Sequence, residues 1–288
     1  MKWKGRQTSS NVEDRRGSGM KRGAKSVGGI GVTGIIIAII YTLVTGQDPS
    51  VILQQTQGVQ QETNQNYSSA STDKNEEIAQ FSKVVLKDTE DVWTKLFREQ
   101  LGKTYIPPKM VIFNGLTNGT CGIAGKSTGP YYCPADQKVY MDLNFLHNLA
   151  NDYGAAGDFA MAYVIAHEIG HHVQFLLGIT EKVHRQRQYL SKKEYNKLSV
   201  KLELQADFLA GMWAHHAQKM KHILENGDVQ EAMNAASAVG DDRLQKRAQG
   251  YVVPDAFTHG TSAQRVKWFL QGFKYGNFDY GNTFEDIY

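Results

Sequence analysis

Cysteine is nearly absent from this chain: Cys121 and Cys133 are the only two in 288 residues. No further pair at C-x-x-C spacing accompanies them, which argues against a structural zinc site built on thiolates. Free thiols or one disulfide remain, and a disulfide closing a loop of about a dozen residues fits an oxidising compartment. Clustered positive charge is missing from the body of the chain. The net charge is +3, but residues 1–26 carry eight Lys or Arg against two acids, which leaves the remainder at −3. Recognition of phosphate backbones wants Lys and Arg gathered on the folded part, so no nucleic-acid partner is expected. Internal repeats are absent too. With 41% hydrophobic residues and 10% aromatics, the chain can bury one sizeable core, and one folded domain with appended segments is expected.

The basic residues lead into residues 27–45, of which Val27 to Val44 carries no charge and is rich in Ile and Gly. As a helix this run is about 27 Å long, enough to cross a bilayer, so one N-terminal transmembrane helix is expected. Thr45 to Pro49 offers no A-x-A-like cleavage site, which disfavours a removed signal peptide. After Lys25 the next Lys or Arg is Lys74. The positive-inside rule then makes residues 1–26 a basic cytoplasmic arm and puts the bulk of the chain outside, in the periplasm or at the cell surface. Residues 46–75, with seven Gln and many Ser, Thr and Asn, suit a flexible polar linker. Residues 76–288 remain as the folded domain.

Within that domain the periodicity predicts an α+β fold, mainly helical, with a small sheet ahead of a central helix. Ile78, Phe81, Val85, Val92, Trp93 and Leu96 recur at helical intervals up to Gly102. Short strands are expected at Met110–Phe113, Tyr131–Tyr132 and Val139–Met141, separated by Pro, Gly and Asn turns. Glu181 to Arg187 reads as a charged connection. Ser191 and Glu194 have the form of a capping box opening a long helix to about Leu224; Asp228 starts another, ending near Gly240, and Thr261 with Gln264 opens a last one.

The central helix, Asp158 to Gly178, carries His167-Glu168-Ile169-Gly170-His171. This is the H-E-x-x-H pattern of zinc peptidases. Residues four apart share a helix face, so both imidazoles can reach one Zn2+ while Glu168 reaches a water beside it. The competing arrangement is a His pair bonded to backbone carbonyls with Glu168 in a salt bridge. Apolar residues on most sides of the helix bury it, and buried ionisable groups must be paired or neutralised, which one divalent ion does at once. A hydrolytic zinc site wants a third protein ligand. Positions 174 and 177 are Gln and Leu, so the extended motif with a third His fails. Glu203-Leu204-Gln205-Ala206-Asp207 instead sets two carboxylates on one helix face, Glu203 for the metal and Asp207 for the free ring nitrogen of a ligand histidine.

H-E-x-x-H followed by E-x-x-x-D on a later helix is similar to the gluzincin peptidases. More closely, the basic arm and apolar run, Gly129-Pro130-Tyr131-Tyr132-Cys133-Pro134-Ala135-Asp136, His167 to Gln174, Glu203 to Asp207 and His259 to Arg265 resemble the bacterial neutral zinc metallopeptidase family. The resemblance covers the chain apart from the polar linker and implies a membrane-tethered zincin that cleaves a peptide or protein substrate. The mechanism so implied uses Glu168 as general base on a zinc-activated water. His259, in a loop before a helix, is the candidate oxyanion donor, with Tyr140 and Tyr251 as competitors. Arg265 is placed to pair with an acidic residue or a peptide C-terminus. A substrate backbone is expected along the edge of the Val139–Met141 strand. The alternative function is a zinc-stabilised binding or scaffold protein at the membrane that does not catalyse. His172 points about 100° away from His171 and is not expected to bind the metal; His147, His215, His216 and His222 are read as surface or satisfied interior residues.

Overall fold

The computed structural model describes residues 1–17, 69–125 and 128–285. In chain order these are β1 (Val12–Asp14), α1 (Ser69–Leu101), β2 (Lys109–Phe113), β3 (Thr117–Gly119), β4 (Gly122–Ala124), β5 (Tyr131–Cys133), β6 (Lys138–Asp142), α2 (Leu143–Tyr153), α3 (Asp158–Leu176), α4 (Ile179–Gln186), α5 (Lys192–Lys221), α6 (Asp228–Ala238), α7 (Asp241–Gln249) and α8 (Ser262–Tyr275), with short 3-10 turns at Pro254–Ala256 and Phe278–Tyr280. The sheet runs β1-β2-β6-β5: the first three strands are parallel and β5 is antiparallel to β6. Its core-facing residues Met110, Ile112, Val139 and Met141 join the helical core. On the other face Val111, Phe113 and Tyr140 pack with Ala124 and Cys133 of the β3–β4 region.

α3 is the axis of the helical layer. Nearly all of its residues are buried, from Phe159 to Gln174, because α1, α5 and α6 all lie against it. A helix surrounded in this way has no solvated stripe, which explains its lack of a polar face. α5 comes unusually close to it. A Cβ on Gly170 would lie 3.0 Å from the Ala206 carbonyl oxygen and 3.2 Å from its Cα. The second variable position of the H-E-x-x-H pattern thus has to be small for the helix bearing Glu203 to reach the one bearing His167. α5 meets α8 by the same device: a Cβ on Gly211 would lie 2.0 Å from the Phe269 oxygen, and one on Gly272 would lie 1.9 Å from that of Phe208.

The first residues are where the expectation fails. Residues 1–17 do not form an arm separate from the domain: β1 pairs with β2 in register Val12↔Met110 and Asp14↔Ile112, Met1 is buried in the core, Trp3 packs edge-on against Phe81 with ring centroids 5.5 Å apart, and Arg6 reaches Asp88 at 2.6 Å. Among the described residues no helix is long and apolar enough to cross a membrane; residues 27–45 and most of the expected linker lie outside them. The expected fold, a zincin-like domain plus one N-terminal transmembrane helix, therefore needs correction. A segment that crosses a bilayer once leaves its two flanks on opposite sides, whereas β1 and β2, which flank residues 27–45, are hydrogen-bonded neighbours in one sheet. The basic residues that suggested a cytoplasmic arm make ion pairs on the domain instead: Arg15 with Glu13, Arg16 with Asp14 and Glu76.

Smaller differences follow from local chemistry. α1 begins at Ser69, inside the stretch expected as linker, and Glu181 to Arg187 is largely the helix α4. Asp158 is the first residue of α3 and Gly157 its N-cap, without a side-chain cap. α7 was not expected at all: its mean composition is too polar to show an apolar stripe, and only Asp241 in it is buried. The strand chosen for the substrate, β6, is internal, paired with β2 on one side and β5 on the other. Its edges are taken, and the open edge on that side of the sheet belongs to β5.

Candidate metal centre

Three side chains that the sequence separates by up to 36 positions meet between α3 and α5. His167 Nε2 lies 3.2 Å from Glu203 Oε2, and His171 Nε2 lies 3.5 Å from Glu203 Oε1. The two imidazole rings stand edge to face with centroids 4.8 Å apart. One nitrogen from each histidine and one Glu203 oxygen fall within 4.8 Å of one another. Two imidazoles and a carboxylate in one small space are a donor set of the kind that hydrolytic zinc sites use.

The other ring nitrogens show why both Nε2 atoms face inward. Nδ1 of His167 donates to Asp207 Oδ1 at 2.9 Å, since a carboxylate only accepts. Nδ1 of His171 faces Gln174 Oε1 at 2.9 Å. The Gln174 amide is oriented by its own NH2, which donates to the Leu202 carbonyl at 2.6 Å and to Gln205 Oε1 at 3.1 Å. A carbonyl cannot donate, so the Gln174 oxygen must face His171, and His171 Nδ1 must carry the hydrogen. Each Nδ1 hydrogen is thus taken by an acceptor, so that Nε2 is the atom each ring can offer to a cation. The residues present fit a divalent metal.

Asp207 is fully buried and accepts more than the histidine. Arg265, from the start of α8, donates through Nε to Oδ2 at 2.9 Å and through Nη2 to Oδ1 at 3.0 Å, and the Tyr163 hydroxyl donates to the same carboxylate. Burial alone would raise the Asp207 pKa, but Arg265 and His167 outweigh it and hold the carboxyl below its ordinary value. Glu203 behaves alike: burial opposes its charge, yet His171 and His259 keep it ionised well below the usual carboxylate range. Burial would lower the His167 pKa, but the charge and hydrogen bond of Asp207 and the bond to Glu203 raise it to about 10. A cation entering the site therefore displaces a proton from His167.

Glu168 follows His167 on α3 and is 8% exposed. Among the described residues nothing donates to its carboxylate, which leaves both oxygens free for a proton. His259 stands half exposed near Glu203, close enough that each perturbs the other's charge. Its loop is fixed by Asp241, whose Oδ2 accepts the backbone N–H groups of Thr258 at 2.7 Å, His259 at 2.6 Å and Gly260 at 3.0 Å, while Oδ1 lies 3.3 Å from His259 Nδ1. Tyr140 is not at this site: its hydroxyl donates to Asp136 at 2.7 Å and its ring stacks on Tyr131. Tyr251 lies exposed in the loop after α7.

His172 is committed elsewhere. Its Nε2 donates to the Ile106 carbonyl at 2.7 Å, so its Nδ1 accepts from the Tyr132 hydroxyl at 3.0 Å. His215 and His216 bond the carbonyls of Phe273 and Gly276 at the end of α8. Cys121 and Cys133 are joined as a disulfide across twelve positions, tying β5 to the β3–β4 hairpin. Sequence reasoning overlooked Gln174, Tyr163 and Asp241. Gln174 had a signal: a polar residue one turn past His171 on a helix otherwise apolar. Asp241 had none, because its role depends on a loop eighteen residues away.

The family described as "Putative neutral zinc metallopeptidase" matches residues 1–284. The chain is 49% identical over 290 aligned positions to the "Uncharacterized protein YpfJ" of Escherichia coli strain K12, covering 99% of both chains. It is 40% identical over 190 positions to the "Uncharacterized protein Rv2575" of Mycobacterium tuberculosis strain H37Rv, covering 62% of this chain and 63% of that one. No solved structure matches.

Proposed function

This chain belongs to the neutral zinc metallopeptidase family, and on that premise we propose that it hydrolyses peptide bonds in a peptide or protein substrate, with zinc held by His167, His171 and Glu203. The observation that carries the reading is the convergence of two Nε2 atoms on Glu203 while both Nδ1 atoms are occupied by acceptors. A structural pair of histidines has no need of that double arrangement. Zinc at this position supplies Lewis-acid polarisation of the scissile carbonyl and brings the pKa of a water towards 7.

The protein's own residues do the rest. Glu168, with no donor on its carboxylate, takes the proton of the attacking water and passes it to the leaving amine. His259 Nε2, which has no hydrogen-bond partner among the described residues, is the donor for the oxyanion in the protonated ring: Asp241 takes the Nδ1 hydrogen, and although burial opposes the charge, Glu203 and Asp241 raise the ring's pKa and favour the imidazolium, which also carries a hydrogen on Nε2. Asp207 and Gln174 fix the ligand histidines. A substrate backbone adds to the open edge of β5, whose Tyr132 ring packs against His172 and Phe175 of α3, so that the peptide runs alongside the metal helix. The disulfide supports work in an oxidising, extracytoplasmic compartment.

The test is zinc content together with a peptide-library digest, wild type against Glu168→Gln. The expected variant keeps stoichiometric zinc and loses roughly two to four decades of cleavage. Wild-type protein loaded with zinc that cleaves no peptide or unfolded protein refutes the peptidase reading and favours a zinc-stabilised scaffold.

A further inference from the structure

Beside the candidate metal centre a groove of about 560 Å³ opens between α3 and α4, lined among others by Pro134, Phe175, Glu181, His184, Arg185 and Arg187. Its place relative to the chemistry is fixed from two sides. Phe175 follows His171 by one helical turn, so it lies on the same face of α3. Pro134 directly follows β5, the strand with the open edge, so a peptide added to that edge passes the mouth of the groove. The volume is that of a side-chain pocket, with Phe175 and Pro134 as apolar wall.

The polar groups of the groove are incompletely matched. Arg185 has a carboxylate, Glu181, at 3.6 Å. Arg187 has none among the described residues; its guanidinium lies over the Tyr195 ring, 5.7 Å from the centroid. Thr180 is only 6% exposed, and its buried hydroxyl has no hydrogen-bond partner. The Thr180 hydroxyl is sealed from the groove, so the group open to a ligand is the Arg187 guanidinium, which stacks on Tyr195 but has no carboxylate among the described residues, and the strongest acceptor for Arg is a carboxylate.

We propose that this groove is a specificity subsite of the same centre, taking a substrate carboxylate against Arg187. The proposal rests on the peptidase reading. The carboxylate is either an acidic side chain next to the scissile bond or the C-terminus of a short peptide; both carry the same group.

The experiment uses full-length, zinc-loaded protein and matched fluorogenic peptides with Glu or Gln at each position flanking the scissile bond, each made with a free or an amidated C-terminus. Wild type is expected to prefer Glu over Gln at one position, or free acid over amide, by roughly two- to fivefold in kcat/KM, the size of an exposed ion pair. R187E removes or inverts that ratio, R187Q reduces it towards one, and R187K keeps most of it. Zinc content and thermal midpoint are checked in each, and R187Q stands in if R187E does not fold. If wild type cleaves nothing, the peptidase reading has failed, and anisotropy binding of the same peptides to zinc-loaded E168Q, with and without R187E, decides the subsite. Ratios near one in cleavage and binding, or ratios that R187E leaves unchanged, overturn the proposal.

Discussion

Asp207→Asn is the perturbation with the sharpest expected outcome. The carboxylate is fully buried and receives four donors: His167 Nδ1, the Tyr163 hydroxyl, and Nε and Nη2 of Arg265. An amide of the same shape must turn its NH2 towards at least one of them, and Arg265, itself 3% exposed, loses its counter-charge. Breaking a buried pair from one side costs about 3–5 kcal/mol, which lowers the thermal midpoint by roughly 6–20 °C for a domain of this size. Independently, His167 loses the charged acceptor that fixes its tautomer, and zinc affinity is expected to fall about 10- to 100-fold. Urea denaturation in EDTA reads the first effect without metal, and competition with a chromogenic chelator reads the second. The triple variant Y163F/D207L/R265M separates the two: apolar residues of similar volume recover most of the stability but none of the zinc affinity. If D207N keeps stability within about 1 kcal/mol and affinity within about threefold, the buried cluster does not do what its geometry implies.

Two further outcomes test other parts of the fold. Burial, partly opposed by the bond to Ile106, lowers the His172 pKa from 6.5 to about 4. Between those values the unfolded chain binds a proton that the folded protein does not, so stability is full above about pH 6.5 and about 3 kcal/mol of it is lost by pH 4; in metal-free protein H172Q should show a distinctly flatter dependence, and equal slopes contradict the assignment. Protein that starts at residue 69 lacks β1, the Met1 packing and the Arg6–Asp88 pair, and should aggregate or lose its cooperative thermal transition. A truncated protein with the wild-type midpoint and zinc content would show that residues 1–17 are dispensable after all.

Local order was legible in the sequence wherever one element carries its own signal. His167 and His171 share a face because a helix repeats every 3.6 residues, and no partner is needed to know it. Glu203 with Asp207 follows the same rule, and the Ser191 and Thr261 capping boxes are both formed as expected. Gln174 was half visible, since its place on the helix was known but not what holds its amide. The N-terminal residues were misread because charge and hydropathy were judged without partners. Arg15 and Arg16 look like a cytoplasmic flank until Glu13, Asp14 and Glu76 are seen beside them, and a three-residue strand such as Val12–Asp14 has too few positions to show a period.

The sequence by itself determined the types of the candidate ligands, their spacing on two helices and the place of Glu168 next to the first of them. Periodicity and side-chain chemistry are local properties, so they survive without a fold. Tertiary structure alone decided that Glu203 reaches the histidines, through the approach of α3 and α5 at Gly170 and Ala206; that Arg265 and Tyr163 join Asp207; that β5 and not β6 offers an edge; and that the chain's first residues belong to the same body as the metal centre. Each of these is a contact between segments far apart in sequence, set by how helices and strands pack rather than by any residue's own preference.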